Sequence, residues 1–188
     1  MKKLELVHTI DEIFNLVDSA PTWSKELKEK AVERQKNLLK PANSLGQLED
    51  IAVFLSSWGK KTMKDMEKIS TIVFAGNHGV CRQSINPFPQ EVTFQMVETF
   101  KLGKAAINKI CESNEINLEV IPIDLEKPTA DISIGRAMDE TEFIKSFNIG
   151  LRAVSENMDL ITLGEMGIGN TTIASALCYY FFNNDVSS

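Results

Sequence analysis

Ile69-Ser70-Thr71-Ile72-Val73-Phe74-Ala75, running on into Gly76-Asn77-His78-Gly79-Val80, is the stretch that decides the fold. The first part is short, rich in β-branched residues and almost unbroken in apolar character. A strand with one wet face would alternate polar and apolar side chains. This run does not, so it reads as a strand buried on both faces, as in a parallel sheet covered by helices. The glycine-bounded segment after it reads as a strand-end loop.

Working outward toward the C-terminus, a longer loop passes Pro87 and Pro89. A helix is expected from about Gln90 to Cys111, with Val92, Met96, Val97, Phe100, Ala105 and Ile110 among its apolar positions. Leu118 to Ile123 reads as a second strand, Thr141 to Asn157 as a helix, and Asp159 to Leu163 as a third strand. Gly164 to Gly169 then turn into a helix opening at Asn170-Thr171-Thr172. Strand and helix in alternation predict an α/β fold, a Rossmann-like parallel sheet flanked by helices. Ligands bind such sheets at the carboxyl ends of the strands, which singles out the loops 76–95 and 164–172.

Toward the N-terminus the pattern is helical. Ile10, Ile13, Phe14 and Val17 share one helical face. Ser24 is placed to cap a helix over Lys25–Lys40, which Pro41 ends. Asn43-Ser44 offers the next cap, ahead of the stripe Leu45, Leu48, Ile51, Ala52 and Leu55, with Gly59 and Lys60 as its stop. The compact element Lys40 to Glu49 is read as a helix–turn–helix corner. The expected organisation is a helical section over 1–65 and an α/β domain over 66–188.

Composition fits this reading. The 188 residues are 43% apolar and 24% charged, ordinary values for a globular chain. Net charge is −6, with no lysine and arginine stripe interleaved with aromatics, so nucleic acid is not an expected partner. Cys81, Cys111 and Cys178 are odd in number and far apart, without metal-ligand spacing. No metal and no cofactor are expected, and reduced thiols point to the cytoplasm. The first eighteen residues lack a signal peptide's apolar stretch. The most apolar stretch, Ile173 to Phe182, is too short to span a bilayer, so no membrane partner is expected.

Two loops could carry chemistry. In Gly164-Glu165-Met166-Gly167-Ile168-Gly169-Asn170-Thr171-Thr172, glycines permit close backbone approach, and the helix start offers free N–H groups to a phosphate or carboxylate. A tight turn that needs glycine only for geometry is the alternative. The spacing is GxxGxG with no following lysine, so neither the dinucleotide fingerprint nor a P-loop is present. Glu165 would repel an anion unless it faces a sugar hydroxyl or a cationic ring, or simply lies in water. In the first loop, His78 could transfer protons, but ordering the loop through hydrogen bonds is the favoured role. Ser84, Phe88, Gln95 and Met96 could line an apolar slot with a few polar groups.

Five motifs stand in one order: Lys40-Pro41 with Ser44-Leu45-Gly46-x-Leu48-Glu49; Ala75-x-x-His78-Gly79-Val80; Pro89-x-Glu91-Val92-Thr93-x-Gln95-Met96; Asp131-Ile132 with Ala137-Met138; and the glycine loop 164–172. From about residue 20 to 180 the chain resembles the nicotinate-nucleotide–dimethylbenzimidazole phosphoribosyltransferase family of cobalamin nucleotide-loop assembly. That resemblance implies transfer of phosphoribose from nicotinate mononucleotide to 5,6-dimethylbenzimidazole, giving α-ribazole 5′-phosphate and nicotinate. It implies a substrate-binding set of Glu165, Gly167, Gly169, Asn170, Thr171, Thr172 and His78 toward the nucleotide loop, with Ser84, Gln95 and Met96 toward the benzimidazole. It also implies a homodimer.

Two departures stand out. The family usually has Asp where Asn77 stands. Its members are also longer, and their general base is a glutamate in a glycine-rich motif near the C-terminus, with no counterpart in these 188 residues. The chain therefore resembles the N-terminal portion of such an enzyme, with the catalytic base unassigned. An inactive nucleotide- or azole-binding fragment is the alternative.

Overall fold

The computed structural model describes residues 5–59, 67–155 and 157–182. The chain divides into two compact units, Asp11–Glu67 and Met1–Ile10 with Lys68–Ser188. The boundary expected between residues 65 and 66, and the stop at Lys60, fall outside the described residues.

The helical unit contains α1 (Ile10–Asp18), α2 (Lys25–Lys36) and α3 (Gln47–Trp58). The Ser24 hydroxyl caps α2 by accepting from the Leu27 N–H at 3.2 Å. Helix α2 stops at Lys36, four residues before the expected end. Asn37 closes it, donating through Nδ2 to the Glu33 carbonyl, so the stop precedes Pro41. Helix α3 starts at Gln47 after Gly46, which has φ of 55° and replaces the expected Asn43-Ser44 cap. The corner between α2 and α3 is held by the Lys40–Glu49 ion pair at 2.6 Å. Glu49 also accepts from the Leu45 N–H at 3.1 Å. The Lys40 hydrogen bond, then the Leu45 bond, hold the Glu49 carboxyl below its usual range.

The α/β unit carries a three-stranded parallel sheet in the order β2-β1-β3, built from β1 (Ile69–Ala75), β2 (Asn117–Pro122) and β3 (Leu160–Met166). The central strand is the one read as buried on both faces, and Ser70 to Val73 together with Ala75 are buried. Ser70–Ala75 pair with Asn117–Pro122, and Ile69–Ala75 pair with Leu160–Met166. Thr71 and Thr162 hydroxyls meet at 2.7 Å across the β1–β3 seam, which satisfies a polar side chain placed in the core.

The crossover from β1 to β2 is two helices rather than the expected single one: α4 (Glu91–Lys101) and α5 (Ala106–Ser113). The break is Gly103, at φ of 68°, a conformation glycine reaches at no steric cost. Both helices pack on β2. The return crossover to β3 is α6 (Glu140–Ala153), started by an Asp139–Glu142 capping box and shorter than expected at its C-terminal end. Asn148 of this helix bonds both backbone groups of Val7, at 3.0 and 2.7 Å, which attaches the N-terminal segment to the α/β unit. Strand β3 runs three residues past the expected end at Leu163. Gly164 lies so close to the Val73 side chain that a Cβ there would sit 3.1 Å from it, so glycine allows the strand to continue. The last element among the described residues is α7 (Asn170–Phe181). Among the described residues no helix is long and apolar enough to cross a membrane.

Candidate active site at the β1–β3 seam

The chain leaves β1 toward β2 and returns on the other side of β1 with β3, so strand order reverses between β1 and β3. Loops leaving the carboxyl ends of such a pair flank a crevice, the usual ligand position in open α/β sheets. The two loops singled out in the sequence are the two that meet here.

Gly76 N–H donates to the Met166 carbonyl at 3.0 Å, tying the loops where they leave the sheet. One residue on, a Cβ at Gly167 would lie 2.2 Å from the Gly76 carbonyl oxygen, so glycine is required by the contact between the two backbones. His78 Nε2 lies 2.5 Å from Asn170 Oδ1. Its backbone carbonyl accepts from Gln90 Nε2 at 2.6 Å, which joins the loop to the start of α4. His78 is thus bonded both to the first residue after the glycine loop and to the residue that precedes α4. Ile168 is held on both sides, its N–H by Thr93 Oγ1 at 3.1 Å and its carbonyl by Cys81 Sγ at 3.0 Å.

The N-cap of α7 is Gly169, at φ of 96°, and not the Asn-Thr-Thr step. Asn170 is the first helical residue and its side chain turns back to His78. Asn170 N–H bonds the Gly167 carbonyl and Thr172 N–H the Gly169 carbonyl. The amides of Gly167, Gly169 and Thr171 have no partner among the described residues. Three unbonded donors beside a twelve-residue helix N-terminus suit an anion.

Glu165 belongs to β3 rather than to the loop, paired in register with Phe74 and exposed at the strand's end. Ser84 is the left-handed cap of the short 3-10 helix Gly79–Gln83, with φ of 55°, and is exposed. Gln95 is exposed on α4 and Met96 half-buried. No hydrogen bond among the described residues joins Ser84, Gln95 or Met96 to the glycine loop.

Sequence reasoning left Thr93, Cys81 and Gln90 without a role. The available signal was a threonine on an inward position of α4, where Val97 is its buried neighbour one turn on. Asp131 was also unassigned. It is buried, accepting from Gln83 Nε2 at 2.7 Å and from the Ser133 N–H and hydroxyl at 2.9 and 2.7 Å. The Gln83 bond, then the Ser133 bonds, hold its carboxyl below the usual range. The segment before it meets the first loop closely: a Cβ at Gly79 would lie 2.3 Å from the Thr129 carbonyl oxygen. Asn77 is buried and its Nδ2 donates to the Leu125 carbonyl at 2.9 Å, a bond an ionised aspartate could not make. Among the described residues no group of three or more His, Cys, Asp or Glu side chains could hold a metal ion.

The DBI_PRT phosphoribosyltransferase family model matches residues 20–188. A nicotinate-nucleotide–dimethylbenzimidazole phosphoribosyltransferase of Rhodobacter capsulatus is 43% identical over 171 residues, covering 91% of this chain and 51% of that protein. The protein of the same name from Brucella anthropi is 48% identical over 155 residues, covering 82% and 46%. The crystal structure of such an enzyme from Thermus thermophilus superposes with a TM-score of 0.75 at 29% identity, over 85% of this chain and 54% of that one. The chain thus spans about half the length of the curated relatives it matches.

Proposed function

The chain belongs to this phosphoribosyltransferase family, and on that premise we propose that residues 66–188 are the nucleotide-holding part of an enzyme that moves phosphoribose from nicotinate mononucleotide to 5,6-dimethylbenzimidazole. The observation that carries the reading is the meeting of two strand-end loops at the β1–β3 seam, with the amides of Gly167, Gly169 and Thr171 unbonded.

The chemistry suits these parts. The pyridinium of nicotinate mononucleotide already carries positive charge. Its bond to the anomeric carbon breaks with the electron pair returning to the ring nitrogen, and nicotinate leaves. A benzimidazole nitrogen forms the new bond on the opposite face, inverting that carbon, and the proton on the azole's other nitrogen passes to a base. Catalysis then rests chiefly on holding two flat rings about one ribose. In this reading the unbonded amides hold phosphate, with Asn170 and Thr172 at the rim. Glu165 faces the ribose or the pyridinium, and Ser84, Gln95 and Met96 line the azole side. His78 binds through the loop it orders.

The base is assigned to the part of the relatives' length that this chain does not span. Two observations support further polypeptide against the α/β unit. Strand β3 is an edge strand with Leu163 72% exposed, and none of the twelve residues of α7 is buried. We read the working unit as a homodimer, supported by exposed Leu48, Ile51, Phe54 and Trp58 on α3. The compartment is read as cytoplasmic, supported by three free cysteines.

The test is α-ribazole phosphate formation by the chain alone and mixed with the remaining half of the Rhodobacter capsulatus relative. Turnover only on mixing is expected, since a general base is worth roughly 10²–10⁴-fold. Robust turnover by the chain alone would contradict the assignment, and Glu165→Gln and His78→Ala would then locate the base. Binding of both substrates without turnover in the mixture would favour an inactive binding protein.

A further inference from the structure

We propose that Thr93 and Cys81 are positioning residues that grip Ile168 from two sides and so set the glycine loop before any ligand arrives. Thr93 is fully buried on the inward face of α4, a place where valine would serve packing equally well. A buried hydroxyl is costly unless it is hydrogen-bonded. Its partner here is the Ile168 N–H, 75 residues away in sequence, at 3.1 Å. Cys81, in the 3-10 helix after β1, donates to the Ile168 carbonyl from the other side at 3.0 Å. It reaches that carbonyl because position 169 is glycine: a Cβ there would lie 2.7 Å from the Cys81 sulfur.

Both polar backbone groups of Ile168 are thereby consumed by side chains from elements that follow β1. The amides on either side, Gly167 and Gly169, stay unbonded. A loop of glycines would otherwise sample many conformations, and a ligand would have to order it at a cost in affinity. The grip removes that cost by fixing the one non-glycine residue between Gly167 and Gly169. It also links α4, which carries Gln95 and Met96, to the loop through a single hydroxyl. The consequence for ligand affinity rests on the nucleotide reading of this loop; the grip itself does not.

The test uses the 188-residue chain with Thr93→Val, Thr93→Ser and Cys81→Ala. Hydrogen exchange of the Ile168 amide is measured first, then nicotinate mononucleotide affinity. Thr93→Val keeps the side-chain shape and removes the bond. It should speed exchange of the Ile168 amide about tenfold while β1 exchange stays unchanged. Affinity should fall at least about fivefold. Thr93→Ser, which restores a hydroxyl, should return both to the parent values. Cys81→Ala leaves α4 intact and should loosen the loop in the same direction, which keeps the proposal testable if Thr93→Val does not fold. Parent-like exchange of the Ile168 amide in Thr93→Val or Cys81→Ala would overturn the grip, as would a folded Thr93→Ser as loose as Thr93→Val. Loosened loops in a chain that binds no nucleotide would support the grip and overturn the functional reading alone.

Discussion

His78 Nε2 sits 2.5 Å from Asn170 Oδ1, joining the loop after β1 to the first residue of α7 across the seam where strand order reverses. With Oδ1 as the acceptor, the imidazole Nε2 carries the hydrogen and donates. The bond therefore ties the position of the first loop to the start of α7.

A double-mutant cycle tests that bond. His78→Ala and Asn170→Ala each remove it, so the double variant should lose less stability than the two single losses added. A coupling of about 0.5–1.5 kcal/mol is expected from urea unfolding. Strict additivity would mean that the two side chains stabilise the fold independently.

Asp131 supplies a pH dependence with a defined sign. Its carboxyl is held below the ordinary value of 3.8, first by Gln83, then by Ser133, with Arg82 adding charge. A folded-state value below the unfolded one gives stability that is present above the ordinary range and lost as pH falls through the folded value. Asp131→Asn should therefore lower Tm at pH 7, and the gap to the parent should narrow as pH drops below about 4. A gap constant from pH 7 to pH 3 would show that packing, not charge, is what the substitution removes.

The sheet should answer unequally to truncation. Ile72 on β1 has no exposure, and Ile72→Ala should cost about 2–5 kcal/mol through lost burial and the cavity left behind. Leu163 on β3 is 72% exposed, and Leu163→Ala should change stability by no more than about 0.5 kcal/mol. Denaturant unfolding of the two variants provides the comparison. Equal losses would place Leu163 in a buried core.

Gly167→Val should do more than fill space next to a ligand. The added carbons would meet the Gly76 carbonyl oxygen, which belongs to backbone and cannot swing aside. The two loops must part, so nicotinate mononucleotide binding should vanish by calorimetry while far-ultraviolet circular dichroism stays near the parent's. Retained affinity would remove this turn from the site.

The almost unbroken apolar run of β1 made the parallel sheet legible, because a strand buried on both faces carries its pattern in its own residues. Ser24 was legible as a cap for the same reason: its partner, the Leu27 N–H, is three residues away. What stayed hidden depends on distant partners. The extension of β3 through Met166 places Gly164 against the Val73 side chain. The split between α4 and α5 turns on the single positive φ at Gly103. In the candidate site, the glycines and His78 announced themselves by type and position. Thr93 and Asp131 did not, because each matters through a bond to a residue far along or outside its own segment.

The most direct measurement is amide resonance mapping of the chain titrated with nicotinate mononucleotide. The expected result is saturable perturbation and exchange protection at Gly167, Gly169 and Thr171, with the already bonded Ile168 amide little changed. Saturation that leaves those three amides untouched, or no binding at all, would contradict the placement of the nucleotide at the β1–β3 seam.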